Sequence, residues 1–391
     1  MRAAIVSTIY EHGTILSEFG TAIALAMEHI SEISEVCIYT TISESKNNPF
    51  KHTTEIIPLI NPKRPASYLK LFYALKIERF DVIVINSMPT SQGSSLISNF
   101  LYLLIPLFLS KKKKERTRIL YHNSPYLNDI GRLGYRGLKT RFQTYVLKFI
   151  EKRVFRSIRT LFLLKKYAMK IEKEIPASKV SFISGKNMAA FSSLYLNGKL
   201  DFPLLPTEPP EGNVPNLLLY GFWGPQKDLR TALLAIRMVR HESKKFRTVL
   251  AGGINEHFQR DVEWYENIIL EFHDTIDTVL GYLGEEQTLE LFLKSNIIIL
   301  PYRAVGGFSG VLSHAMFFGL SVIAPRFDEY VEQCGKYPNV QFIPVDYSIN
   351  DIASALRSIM DVGNYERNRI SPKSAFQDFV KEFDRIVIGG I

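Results

Sequence analysis

Leu300–Ala324 reads LPYRAVGGFSGVLSHAMFFGLSVIA. The apolar run Ile297 to Leu300, closed by Pro301, has the character of a buried strand ending at a turn. Gly306, Gly307 and Gly310 surround Ser309, and the spacing Val311, Leu312, Ala315, Met316 predicts a helix that Phe317-Phe318-Gly319 closes. Ser321 to Ala324 predicts the next buried strand. The result is a β-α-β unit of an α/β domain. Its loop admits two readings: the glycines only turn the chain, or they let a ligand approach the backbone with no Cβ in the way. In the second reading the unpaired N–H groups and positive dipole end of the helix hold an anion such as phosphate.

Upstream, Asn216 to Tyr220 predicts a strand, Gly221 to Asp228 a loop and Leu229 to Arg240 a helix. Val249 to Gly253 and Val279 to Leu283 predict further strand ends, the latter followed by a helix over Glu285 to Lys294. Lys227 stands just ahead of a helix, where its ammonium can share an anion with the helix N-terminus. Asp201 to Pro215, DFPLLPTEPPEGNVP, is rich in proline and reads as a linker.

The first half has the same grammar. Ala3 to Ser7, Val36 to Thr40, Asp81 to Asn86, Thr117 to Tyr121, Thr160 to Leu164 and Val180 to Ser184 predict strands, and Glu18 to His29 a helix. Strands apolar on both faces and separated by helices form parallel sheets, with ligands at the strands' carboxyl ends. His122 follows such a strand directly, so it is read either as structural or as a group that handles protons near neutrality.

A chain of 391 residues, 46% hydrophobic, is long enough for two cores. Cys37 and Cys334 form no C-x-x-C pair, and no signal-peptide pattern follows Met1, so a reducing, cytoplasmic setting is expected. Leu96 to Leu109 is apolar but too short for a bilayer, which needs roughly 20 residues. It is read as a buried helix, as a segment in a membrane interface, or as both. Lys111 to Lys173 holds 19 Lys and Arg against 4 Asp and Glu, +15 where the whole chain carries +9. Within it Leu138, Phe142, Tyr145, Val146, Phe149, Ile150 and Val154 recur at helical spacing between basic residues. Such a helix is either a solvated face or a contact to an anionic membrane surface, which would place the protein peripherally on the inner face of the cell membrane. Nucleic acid is the least favoured partner, since no aromatic interleaving or zinc pattern accompanies the charge.

Read together, the Gly221…Lys227 loop, Leu250-Ala251-Gly252, Gly281-Tyr282-Leu283, Pro301-Tyr302 and Ser309-Gly310-Val311-Leu312 through Val322-Ile323-Ala324 form a familiar order. It resembles the family 4 glycosyltransferases of the GT-B fold, a retaining family, specifically in the C-terminal half and more weakly in the first. The resemblance implies two Rossmann-like β/α/β domains facing each other across a cleft. Residues 1–200 would bind the acceptor, 201–215 would link, and 216–370 would bind the nucleotide-sugar, with 371–391 packing back on the first domain. It implies that Lys227 and the backbone at Ser309, Gly310 and Val311 hold the diphosphate of a UDP- or GDP-sugar, with Gly221, Gly252, Tyr282, Arg303 and His314 around it and no other cofactor. On the acceptor side Glu11-His12-Gly13 resembles the family's glycine loop, and His122 its active-site histidine, with Asn123 beside it.

The sequence also departs from that pattern. The family's two glutamates, eight apart, fall on Gly306 and His314, so both carboxylates are missing. His314 can hydrogen-bond a ribose hydroxyl but cannot accept from two, as a carboxylate does. An arginine common in the G…K loop is replaced by Phe222 or Gly224, and no D-x-D metal motif occurs. The expected reaction moves a sugar to a hydroxyl of a lipid-linked or membrane-proximal glycan. If configuration is retained, His122 orients sugar and acceptor; if it inverts, Glu11 or His12 is the available base. A nucleotide-sugar epimerase of the same fold, and a sugar-nucleotide-binding scaffold without turnover, stay open.

Overall fold

The computed structural model describes residues 1–7, 15–41, 50, 53–61, 64–87, 96–121, 138–184, 214–224, 226–242, 245–253, 262–281, 283–305, 307–362 and 372–389. The chain forms two compact units, one of Met1–Leu196, Gly306–Phe308 and Pro372–Ile391, the other of Asn197–Val305 and Ser309–Ser371.

In the first unit the elements are β1 (Arg2–Val6), α1 (Ile15–Glu28), β2 (Glu35–Thr41), β3 (Thr54–Ile60), α2 (Ala66–Ile77), β4 (Val82–Ser87), α3 (Leu96–Phe108), α4 (Lys111–Arg116), β5 (Thr117–Tyr121), α5 (Leu138–Ser157), β6 (Arg159–Phe162), α6 (Lys165–Glu172) and β7 (Val180–Phe182). The strands pair in the order β3-β2-β1-β4-β5-β6-β7, every pairing parallel. Central β1 and β4 are buried along nearly their whole length, so their sequences, RAAIV and VIVINS, are apolar without alternation. Edge strand β3 is buried at its two ends and only partly covered between them, and it carries Pro58, which removes a ladder donor where an edge tolerates it.

Helix α3 belongs to this core. Tyr102, Leu103, Ile105 and Leu109 are buried and only Phe108 of the described side chains is largely exposed, so the apolar segment is chiefly a buried helix. Among the described residues no helix is long and apolar enough to cross a membrane. Helix α5 gives Ile150 and Val154 to the core but leaves Tyr145 and Phe149 outside, Phe149 under the Arg153 guanidinium at 5.0 Å.

The second unit comprises β8 (Asn216–Tyr220), α7 (Leu229–His241), β9 (Arg247–Gly252), α8 (Val262–Glu271), β10 (Asp277–Leu280), α9 (Glu285–Lys294), β11 (Ile297–Ile299), α10 (Gly310–Phe317), β12 (Ser321–Pro325), α11 (Asp328–Cys334), β13 (Val340–Ile343) and α12 (Ile349–Val362). Its parallel order is β10-β9-β8-β11-β12-β13. The core packs Leu217, Leu219, Leu233, Ile236, Phe272 and Ile297 from strands and flanking helices. Helix α13 (Pro372–Phe383) then returns to the first unit, where Phe376 meets the His29 ring beside α1 at 5.0 Å and Glu382 accepts from the Ser184 N–H.

In each sheet the chain winds one way from its first strand and then resumes on the other side. The reversal falls between β1 and β4 in one unit and between β8 and β11 in the other. Helices leave opposite faces of the sheet on the two sides of such a point, opening a crevice at the strands' carboxyl ends where α/β proteins bind ligands.

Candidate functional site

At the reversal point of the second unit, the loops after β8 and β11 are fastened to each other. Lys227 and Tyr302 form an antiparallel bridge. The Asp228 N–H donates to the Pro301 carbonyl at 2.7 Å, and the Arg303 N–H to the Gln226 carbonyl at 2.7 Å. Arg303 secures the joint with its side chain: Nε and Nη2 donate to Asp228 Oδ2 at 3.0 and 2.6 Å, and Nη1 to the Tyr347 carbonyl at 2.8 Å. Asp228 also caps α7, accepting from Thr231 N–H and hydroxyl. Burial would raise the Asp228 carboxyl, but hydrogen bonds from Arg303 and Thr231 outweigh it and hold the group below its ordinary value.

This joint fixes Lys227. Its side chain is 5% exposed, and Nζ lies between two rings, 5.2 Å from the centre of Trp223 and 4.9 Å from that of Tyr302. Among the described residues no carboxylate pairs with it. Burial lowers the ammonium to about 7, so cation–π contact does not replace the lost hydration. The indole N–H of Trp223, 2% exposed, is likewise buried without a partner among the described residues. A buried ammonium of this kind is suited to pairing with an anion.

Two glycines shape the space above the lysine. Gly221 ends β8 at φ +132°, and a Cβ there would stand 2.5 Å from Lys227 Nζ and 3.8 Å from Val311 Cγ2. Gly252 ends β9 at φ +106°, where a Cβ would stand 2.2 Å from the Gly221 carbonyl oxygen. Gly221, Lys227 and the start of α10 therefore meet at one place. Ser309 caps α10, its hydroxyl accepting from the Leu312 N–H at 3.3 Å. Gln333 of α11 steadies this end, accepting from the Ser309 N–H at 3.0 Å and donating to the Ser309 carbonyl and the Ser313 hydroxyl. The N–H groups of Gly310 and Val311, first in the helix, have no intrahelical acceptor and add its positive dipole end.

His314 sits one turn into α10, 5% exposed, its ring 5.2 Å from Phe292 and parallel to Phe318. Phe292 in turn meets Tyr220 at the end of β8, so an aromatic wall stands where the resemblance implies a ribose-binding carboxylate. The structure thus brings together Gly221, Lys227, Gly252, Ser309, Gly310 and Val311, with His314 on the same helix. Arg303 is adjacent, but three of its five N–H donors go to Asp228 and the Tyr347 carbonyl. Glu11, His12, Gly13, His122, Asn123, Tyr282 and Gly306 lie outside the described residues. Sequence reading missed Trp223, Tyr302, Asp228 and Gln333; the only local signal was an aromatic residue close to each glycine-rich turn.

Arg303→Met is expected to lower stability by about 1–2 kcal/mol, because it removes the charged donors of a half-buried carboxylate and leaves it only those of Thr231. Arg303→Lys should restore little of this, since an ammonium cannot reproduce the fork. Thermal unfolding of both variants checks it; wild-type unfolding temperatures would mean that the joint is held by backbone alone.

In the first unit Glu35, Cys37 and Glu55 bring metal-ligating atoms within 4.8 Å of one another. Arg2 already occupies this place, Nε on Glu35 at 2.7 Å and Nη2 on Cys37 Sγ at 3.4 Å, and supplies the positive charge.

No curated protein matches the chain in sequence. Solved structures do match in fold. The chain is similar over 100% of its length to 97% of sucrose-phosphate synthase from Thermosynechococcus elongatus, with TM-score 0.62 and 14% identity. It is similar over 99% of its length to 95% of WaaG, a glycosyltransferase involved in lipopolysaccharide biosynthesis, with TM-score 0.59 and 15% identity. HepE from Anabaena, solved in complex with UDP, is matched over 100% of this chain and 99% of its own, with TM-score 0.58 and 12% identity. These likenesses, together with the two parallel sheets, identify the fold as GT-B, two Rossmann-like domains. Residues 215–361, which contain the whole of the crevice built by Lys227 and α10, match the family model described as glycosyl transferases group 1.

Proposed function

We propose that the protein is a glycosyltransferase that moves a sugar from a nucleotide-sugar to a hydroxyl of an acceptor carried on, or close to, an anionic membrane surface. This reading rests on Lys227, a buried cation with no carboxylate partner among the described residues, beside the N-terminus of α10 and at the reversal point of a sheet that matches a glycosyltransferase domain. A nucleotide-sugar brings a diphosphate that satisfies both groups. When the glycosidic bond to that diphosphate breaks, negative charge grows on the leaving oxygen, and a fixed ammonium and oriented N–H groups stabilise it more than they stabilise the intact donor.

The absent carboxylate at His314 suits a donor whose ribose is gripped weakly, leaving the diphosphate contacts to supply most of the affinity. UDP in the crystal structure of HepE makes UDP-sugars the first donors to try, and the basic balance of Lys111–Lys173 favours an anionic surface around the acceptor. On the acceptor side the resemblance assigns His122 to orienting the reacting groups, with retained configuration.

The test is product analysis with a panel of nucleotide-sugars. A transferase releases nucleoside diphosphate faster when acceptor is added; an epimerase converts the donor with no acceptor; a binding protein does neither. His122→Ala is expected to lower transfer by about 100-fold or more while leaving donor affinity unchanged. Turnover at the wild-type rate would remove His122 from the chemistry.

A further inference from the structure

Helix α2, ASYLKLFYALKI, buries Ser67, Tyr68, Leu71 and Leu75 against the first unit's core. On its other side Leu69, Tyr73 and Ile77 are 53, 56 and 75% exposed. They are four residues apart, so they form one continuous stripe. Phe108, at the end of α3 and 67% exposed, extends it: the Phe72 ring lies 6.5 Å from Phe108 and 5.6 Å from Tyr73. Single exposed apolar side chains are ordinary, but a contiguous set of four large ones marks a surface that something covers.

The charges around the stripe identify the cover. Helix α2 contains no acidic residue, and Lys70 and Lys76 are exposed on it. Lys113 donates to the carbonyls of Leu75, Lys76 and Glu78 at 2.6, 2.6 and 2.7 Å, which fastens α4 to the end of α2 and sets exposed Lys111 and Lys112 nearby. Glu78 is neutralised, accepting from Tyr39 and paired with Arg2 at 3.0 Å. Glu115 is the one acid within α4, against four lysines and Arg116. Apolar and aromatic side chains framed by lysine suit a sheet of anionic head groups over acyl chains.

We infer that the α2 stripe, Leu69, Tyr73 and Ile77 with Phe108, is a membrane-docking face that inserts into an anionic lipid bilayer while the flanking lysines contact its head groups. The inference rests on the membrane part of the proposed function and changes its location. The basic region Lys111–Lys173 provides attraction through its first two lysines, but insertion belongs to a helix that precedes it. The other exposed aromatic pair, Tyr145 and Phe149 on α5, is the comparison.

The test uses the full chain and vesicles of phosphatidylcholine with 30 mol% phosphatidylglycerol. Wild type is expected to co-sediment, and added salt should release only part of it. Tyr73→Ser/Ile77→Ser should lower the partition coefficient by about tenfold, and Tyr145→Ser/Phe149→Ser should leave it unchanged. All four positions are exposed, so both variants should fold, which thermal unfolding verifies. Tyr73→Trp should show a blue-shifted emission that brominated lipids quench. Three outcomes overturn the inference: sedimentation unaffected by the α2 variant, binding fully reversed by salt with no quenching, or a dimer in solution that the α2 variant dissociates. Wild type left in the supernatant at low salt would overturn the membrane reading as well.

Discussion

Lys227→Met is expected to bind nucleotide-sugars about 10- to 150-fold more weakly than wild type, from the loss of a charge-assisted contact of about 1.5–3 kcal/mol. The same substitution should make the unliganded protein more stable. Methionine places an apolar chain of similar length between Trp223 and Tyr302, where wild type holds a cation with no anionic partner among the described residues. Removing a buried unpaired charge in this way is worth about 1–3 kcal/mol. The sign follows from titration: the lysine sits at about 7 in the folded protein against 10.5 as its ordinary value. Between those values the unfolded chain binds more protons, so wild-type stability rises with pH, and below about 7 the full penalty is present. The variant should lack that slope, and its advantage should be largest in acid.

A bound diphosphate supplies the missing counter-charge and raises the lysine's proton affinity. Donor binding should therefore take up a proton above pH 7, and affinity should fall as pH rises from about 7. The diphosphate of a nucleotide-sugar is a diester with no proton to exchange in this range, so calorimetry in buffers of different ionisation enthalpy reads proton uptake by the protein, and Lys227→Met subtracts the part that is not the lysine's. Affinity that is flat from pH 6 to 9, or a variant that binds as wild type does, would place the anion elsewhere.

Gly252→Ala has the second large effect. Its methyl group would lie 2.2 Å from the Gly221 carbonyl oxygen, at a φ of +106° that side chains rarely adopt. Backbone meets backbone there, so β8 and β9 must part at the ends that carry the crevice. The expected loss is about 3 kcal/mol or more, or some 6–12 °C in Tm. Gly221→Ala provides the contrast. The nearest atom to its methyl group is Lys227 Nζ at 2.5 Å, the movable end of a side chain, and the remaining penalty is the φ of +132°. That variant should lose donor affinity by a larger factor than Gly252→Ala does in the fraction that still folds. Equal unfolding temperatures for the two would contradict this assignment of the glycines.

Much of the fold was legible because parallel strands buried on both faces announce themselves. Ile297–Ile299 and Val82–Ser87 need no alternation to be recognised, and helix α10 follows from the spacing of Val311, Leu312, Ala315 and Met316. The region from Thr54 to Ile77 was silent for physical reasons. Edge strand β3 mixes Glu55 and Pro58 with its isoleucines, and α2 is apolar on its outer face as well as its inner one, so neither shows a clean period. Within the site, Lys227 and the Ser309 turn are local signals. The cage that gives the lysine its character is not local: Trp223 and Tyr302 are brought to one side chain by the pairing of β8 with β11, as are Asp228 and Arg303. The same pairing gives Arg303, expected beside the diphosphate, a carboxylate and a carbonyl as partners.

Thermal unfolding against a panel of UDP-, GDP- and ADP-sugars reads directly whether the reversal point of the second sheet binds the diphosphate of a nucleotide-sugar. A ligand present at 100 times its Kd stabilises the folded protein by roughly 2.7 kcal/mol. At pH 6.5 at least one base should raise the unfolding temperature of wild type, the shift should shrink at pH 9, and Lys227→Met should show almost none. No shift with any member of the panel, or an equal shift in Lys227→Met, would mean that Lys227 does not hold a nucleotide-sugar.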